Sequence, residues 1–259
     1  MAKRTRQISF VNNRGGVAKS TSASNVAVGL AMKGARVLLI DADASGGATV
    51  ALGLAEEAEL DTGLYTTADF MSGATFAPIK NCMLPGLDFL PATNRISFLE
   101  AELYVAGTSG NKRLAESLSR IPNDYDYILV DSPPHLGAIM ANVVIAAPEI
   151  LIPVKMDLGS VPQTLKLHDY VKGLKTTLQP RLSILGVLPT FFVERDTTPK
   201  ELLSQMKELF GAKMFDTMIH QSRAVANAFG VGRPILLANP NNRGAEEYRS
   251  LVEEIISRG

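Results

Sequence analysis

The sequence predicts an α/β protein with a doubly wound, mostly parallel sheet flanked by helices, and three observations carry that expectation. Short, near-continuous apolar runs such as residues 36–41 (RVLLID) and 127–131 (YILVD) recur along the chain, the pattern of strands buried on both faces. Helix-period segments separate most of these runs, as crossover connections between parallel strands require. A glycine-rich turn at residues 12–21 follows the first run directly and leads into a segment rich in Ala and Val.

Taken in order, residues 8–12 read as the first strand and residues 20–33 as a helix. Strands follow at 36–41, 87–90 and 127–131, with a helical segment at 111–120. Residues 149–154 (EILIPV), 182–188 (LSILGVL) and 214–219 complete the strands, and helices are expected at 163–177, 199–210 and 245–257. No composition break, internal repeat or low-complexity tract divides the chain, so residues 1–259 read as one domain. A chain of this size buries about 70–75% of its unfolded surface and needs no disulfide or metal staple. Its single cysteine, Cys82, cannot build a disulfide framework, which fits a reducing, cytoplasmic setting. The basic residues 1–7 precede no apolar stretch of signal-peptide form, and no run of 18 apolar residues suggests a membrane span. With 26 basic and 26 acidic residues the formal net charge is zero, so contact with nucleic acid has to come from a local patch.

The turn after the first strand reads Asn12, Asn13, Arg14, Gly15, Gly16, Val17, Ala18, Lys19, Ser20, Thr21. A glycine-rich turn between strand and helix points backbone N–H groups into one concavity, and the helix N-terminus adds partial positive charge there. Lys19 is placed to reach the β- and γ-phosphates of a nucleotide, and the Ser20 hydroxyl to bind Mg²⁺. The standard pattern G-x-x-x-x-G-K-[ST] fails at Asn13 and Ala18, and a Gly-Gly turn capping an ordinary helix is the bland alternative. Asp41 and Asp43 follow one apolar strand and Asp131 ends another, at the carboxyl edge where open α/β sheets bind ligands. A lone Asp there most often caps a helix. Three such carboxylates beside a phosphate loop point instead to a metal or a water held at the phosphates.

These motifs together resemble the ParA family of deviant Walker-A ATPases, most closely its small Soj-type members, over nearly the whole chain. The family pattern x-K-G-G-x-x-K-[ST] matches Asn13–Ser20 except that Arg14 stands at the first lysine. Further blocks of similarity are residues 36–49 (RVLLIDADASGGAT), 87–103 (LDFLPATNRISFLEAEL), 125–137 (YDYILVDSPPHLG), 186–197 and 233–248. The resemblance implies a Mg-ATP-binding switch that forms a nucleotide-sandwich homodimer, binds nonspecific nucleoid DNA, and hydrolyses ATP slowly. A cargo-bound adaptor of ParB or carboxysome-adaptor type then stimulates hydrolysis. The nucleotide would be held by Asn13, Gly15, Gly16, Val17, Ala18, Lys19, Ser20 and Thr21, and Mg²⁺ by Ser20, Asp41 and Asp131. Asp43 would face the attacking water.

Two departures from the family bear on catalysis. Arg14 replaces the lysine that in relatives crosses to the other subunit's ATP, and Lys155 stands where Soj-type chains carry glutamine. Either cation could serve in trans, and such a cation is worth roughly 10³–10⁵ in rate. The family's DNA-contact arginines fall on Arg195 and, one position off, on Arg223. With nine basic and eight acidic residues from Arg195 to the C-terminus, any DNA contact rests on a modest patch. The alternatives are a P-loop small-molecule kinase or ligase, and a MinD-like ATPase cycling on membranes. The last would need a basic amphipathic C-terminal helix, whereas residues 245–259 carry four Glu and two Arg. A nitrogenase-type iron protein would need more cluster thiolates than Cys82 supplies. A dinucleotide oxidoreductase would need G-x-G-x-x-G after the first strand, which is missing.

Overall fold

The computed structural model describes residues 5–56, 63–122 and 124–259, so part of the basic N-terminal segment lies outside the described residues. The strands are β1 (Arg6–Phe10), β2 (Val37–Asp41), β3 (Leu87–Leu90), β4 (Tyr127–Asp131), β5 (Glu149–Lys155), β6 (Ser183–Phe192) and β7 (Ile219–His220). They form one sheet in the order β3-β2-β4-β1-β5-β6-β7, and every pairing between them is parallel.

Strand periodicity sorts the core. Leu38 and Ile40, Ile128 and Val130, and Ile150 and Ile152 pack on one face of the sheet. Their neighbours Val37, Leu39, Leu129 and Leu151 pack on the other. Burial on both faces explains why these strands read as unbroken apolar runs. The second face is covered by α1 (Lys19–Met32), α2 (Gly47–Ala51), α9 (Arg223–Gly230), α10 (Ile235–Ala238) and α11 (Arg243–Ser257). The first is covered by α3 (Thr67–Met71), α4 (Arg95–Ala106), α5 (Arg113–Leu118), α6 (Ala138–Ala146), α7 (Ser160–Thr177) and α8 (Thr197–Phe210). α1 is buried on almost every side, from Ser22 through Ala31. α11 packs closely against it because Gly29 has no side chain: a Cβ there would stand 2.6 Å from Val252 Cγ2.

Several elements differ from the sequence expectation. The last strand is the two residues of β7. Met214, expected to begin it, forms only an isolated bridge to Val187. β6 runs on to Phe192. α4, α6 and α9 were not anticipated as helices. α6 (AIMANVVIA) is buried along almost its full length and carries no polar period to read. α4 exposes Phe98, Tyr104 and Val105, which blurs its period. The expected helix at 111–120 is a 3₁₀ turn (Gly107–Lys112) followed by α5.

A candidate nucleotide and metal site at the carboxyl edge

The register of the central strands builds the site. Asp41 of β2 lies opposite Asp131 of β4, and Asp131 lies opposite Phe10 of β1. The loop at 12–18 therefore leaves β1 beside both acids. Asn12, buried, braces it: its side-chain amide donates to Pro153 O at 2.7 Å, and its Oδ1 accepts from the Arg14 N–H at 3.0 Å. The Thr190 hydroxyl donates to Val17 O at 3.1 Å, tying the loop to β6. Gly16 has φ 69° and Ala18 has φ 68°. Ala18 thus holds the left-handed conformation that glycine takes at no steric cost, which is the physical content of the mismatch at that position.

α1 starts at Lys19 with no side-chain cap and no acid in its first turn, so its first N–H groups face the loop unclaimed. The Lys19 ammonium, 6% exposed as a residue, folds back onto Arg14 O at 3.1 Å. Burial lowers its pKa, while Asp131 and Asp43 act in the opposite direction.

The acids divide the work. Asp131 is completely buried, and neither carboxylate oxygen has a hydrogen-bond partner. Burial pushes its pKa well above the ordinary carboxylate range and the neighbouring Asp41 adds to this, with Ser20 and Lys19 opposing. Gly47 leaves the space beside it open: a Cβ on Gly47 would stand 2.3 Å from Ser20 Oγ and 3.8 Å from Asp131 Oδ2. An unpartnered buried carboxylate next to a hydroxyl is the donor set a hard divalent cation takes with the help of phosphate oxygens and water. The residues present therefore fit Mg²⁺.

Asp41, expected as a third metal ligand, is already engaged. Its Oδ1 accepts from the Asp43 N–H at 3.0 Å, and its Oδ2 accepts from both the Thr49 N–H and hydroxyl at 2.8 Å. Burial pushes its pKa up to about 6 against those hydrogen bonds. These bonds tie Asp41 to Asp43 and to the start of α2, opposite Asp131 in the register. Asp43 Oδ1 in turn accepts from the Ser45 N–H at 2.9 Å, at the mouth of the site. Among the described residues no cluster of three or more His, Cys, Asp or Glu could hold a metal by itself.

The two unusual cations meet at one acid. The Arg14 guanidinium grips Asp157 with two nitrogens, its NH2 donating at 2.9 Å, and also donates to the Ser160 hydroxyl at 3.0 Å. Lys155 stands 3.6 Å from the same carboxylate, its ammonium 5.5 Å from the centre of the Phe191 ring. Asn13 reaches the same helix, donating to Gln163 Oε1 at 3.0 Å.

A pocket that no motif announced adjoins the loop. Its volume is about 220 Å³, and it is lined by Ala18 and Thr21 on one side and by Phe191, His220, Val225 and Phe229 among others. Its walls come from α1, β6, β7, α9 and α11, so no short sequence pattern could have revealed it. Arg195 follows β6 and Arg223 begins α9, both exposed, in neighbouring connections on the same edge of the sheet.

Fold and site define a P-loop nucleotide-binding protein. A family model described as an AAA domain matches residues 5–184. The chain is 33% identical over 254 residues to the chromosome partitioning protein ParA of Caulobacter vibrioides, covering 98% of this chain and 94% of that one. It is 32% identical over 257 residues to the chromosome-partitioning ATPase Soj of Thermus thermophilus, covering 98% and 97%. The protein belongs to the ParA/Soj family of P-loop ATPases. Its fold is shared with apo McdA of Cyanothece, at TM-score 0.86 and 23% identity over 98% of this chain and 100% of that one. It is shared also with cobyrinic acid a,c-diamide synthase of Mycobacterium smegmatis bound to ADP and magnesium, at TM-score 0.80 and 23% identity over 96% and 93%.

Proposed function

We propose that this protein is a ParA-type ATPase. It binds Mg-ATP, forms a nucleotide-sandwich homodimer, binds nonspecific DNA, and positions or segregates a cargo through adaptor-stimulated hydrolysis. The single observation that carries the reading is the buried, unpartnered Asp131 carboxylate beside Ser20 and Lys19, at the mouth of an uncapped helix. The partition relatives, alike over nearly their whole length, favour that cargo class.

The residues take distinct roles. The loop N–H groups of 15–21 cradle phosphate oxygens, and the Lys19 ammonium, released from Arg14 O, moves to the β- and γ-phosphates. Ser20 and Asp131 would hold Mg²⁺, which would supply neutralising charge on the phosphates. The pocket beside Ala18 and Thr21 takes the base. Asp43, oriented by Asp41 through its backbone, aligns the water. Lys155 supplies positive charge to the nucleotide of the partner subunit, which ties hydrolysis to assembly. Arg195 and Arg223 contribute to the DNA face.

The kinase or ligase reading keeps a claim because the diamide synthase shares the fold. The test between them is ATP turnover stimulated by DNA with an adaptor, as proposed, or by a small acidic metabolite instead. For the membrane-cycling reading, α11 turns Tyr248, Leu251, Val252 and Ile255 into the core, so its apolar face is already covered; no described helix is long and apolar enough to cross a membrane. Equilibrium dialysis of labelled ATP tests the core of the proposal. Lys19→Ala should lose nucleotide binding, and unchanged affinity would overturn the assignment.

A further inference from the structure

Two cations competing for a single carboxylate raise a question that the family pattern does not answer: which of them is free to leave. Asp157, on the turn between β5 and α7, binds Arg14 through both of its oxygens, while Lys155 stands at 3.6 Å. The two are not held alike. Arg14 makes three hydrogen bonds, two to Asp157 and one to Ser160, and the Ser160 hydroxyl closes the ring by donating to Asp157 at 3.0 Å. Gly159 leaves room for the guanidinium: a Cβ there would come within 3.2 Å of Arg14 NH1. Lys155 has only the longer ion pair and the Phe191 ring, and its side chain is 41% exposed. A planar, bidentate guanidinium pair is both stronger and more directional than a single ammonium contact.

We propose that Asp157 is the positioning residue that decides which cation crosses to the partner subunit: it retains Arg14 on its own subunit and releases Lys155. The inference rests on the ATP-sandwich reading above. It explains why two anomalous cations occur together. When one cation leaves, Asp157 at the closing interface would be stranded as an unpaired charge, a costly state in a water-poor setting. Arg14 stays as its counter-ion, so Lys155 departs without stranding it. Removing the acid frees Arg14, which is long enough and already beside the loop, to take over the trans role.

The experiment is suppression, read as molar mass by light scattering with a non-hydrolysable ATP analogue and Mg²⁺, alongside nucleotide binding for every variant. Lys155→Ala should not dimerise, and Arg14→Ala should dimerise more weakly than wild type, because Asp157 then has only Lys155 as its counter-ion. Lys155→Ala combined with Asp157→Asn should regain the analogue-dependent dimer, and adding Arg14→Ala to that pair should abolish it again. Lys155→Ala with Asp157→Glu should stay monomeric, since the carboxylate is retained. A merely structural Asp157 predicts no rescue, so a double variant that binds nucleotide but remains monomeric overturns the proposal. An Asp157→Asn chain that no longer binds nucleotide overturns it as well. A wild-type chain that binds the analogue and never dimerises overturns the sandwich reading itself and is told apart by that first control.

Discussion

Gly47 and Ser20 are in such close approach that any side chain on Gly47 would occupy the place of the Ser20 hydroxyl: the added Cβ would stand 2.3 Å from Oγ and 2.9 Å from Cβ of Ser20. The first residue of α2 and the second of α1 are thus shaped as two walls of one small space, with Asp131 at its back.

Gly47→Ala should therefore displace Ser20 and weaken Mg-dependent nucleotide binding by about tenfold or more, a cost of about 1.4 kcal/mol. Titration calorimetry with Mg-ATP checks this, and circular dichroism verifies that the fold is kept. Wild-type affinity in a folded variant would mean that Ser20 does not face the metal.

Ala18→Gly tests the loop from the opposite direction. At φ 68° alanine carries a left-handed penalty of about 1–2 kcal/mol, partly offset in glycine by the greater freedom of its unfolded chain. The net expectation is a stabilisation of up to about 1 kcal/mol with nucleotide binding retained. A lower Tm would show that Ala18 is not strained.

Far from the site, Asp88 pins the edge strand β3. Burial would raise its pKa, yet Lys80 at 2.6 Å, the Tyr125 hydroxyl at 2.6 Å and the Asn81 N–H at 3.0 Å outweigh burial and hold it below the ordinary range. A carboxyl whose folded-state pKa is depressed stabilises the fold above its unfolded value and loses that contribution as pH falls. Asp88→Asn should cost about 2 kcal/mol at neutral pH in urea denaturation, the range for hydrogen bonds to a charged group. The difference from wild type should shrink below about pH 4, the unfolded carboxyl's range. A difference that stays constant to low pH would contradict the role given to its charge.

How far the sequence could be read follows from what each element has to encode. Strands buried on both faces, such as β2 and β4, advertise themselves as apolar runs, and the acids that end them mark the ligand edge. The phosphate loop was legible through its glycines and Lys19, although Ala18 breaks the standard pattern. Asp157, by contrast, is an ordinary acid until the fold sets it between Arg14 and Lys155, residues 143 apart and two apart from it in the chain. Likewise Asp41 reads as a metal ligand by position, and nothing in the sequence announces its hydrogen bonds to the Asp43 and Thr49 N–H groups. The pocket beside Thr21 draws on five separate elements and has no sequence signature. α6 was missed because a helix buried on all sides has no amphipathic period.

For DNA, the exposed Arg195 and Arg223 lie in neighbouring connections, and the chain around them is close to charge balance. Binding should require ATP, fall steeply with salt, and weaken with Arg195→Ala, less so with Arg223→Ala. Filter binding to a duplex of random sequence measures this. Equal affinity with ATP, ADP and no nucleotide would contradict a nucleotide switch.

The central claim is that ATP, and not ADP, assembles two subunits around this site, and Asp43→Ala offers the most direct view of it because hydrolysis would no longer reset the state. The measurement is the molar mass of that variant by light scattering in Mg²⁺ with ATP and, separately, with ADP. The account predicts a persistent dimer with ATP and a monomer of 27.8 kDa with ADP. The same mass in both nucleotides, with ATP turned over at the wild-type rate, would contradict it.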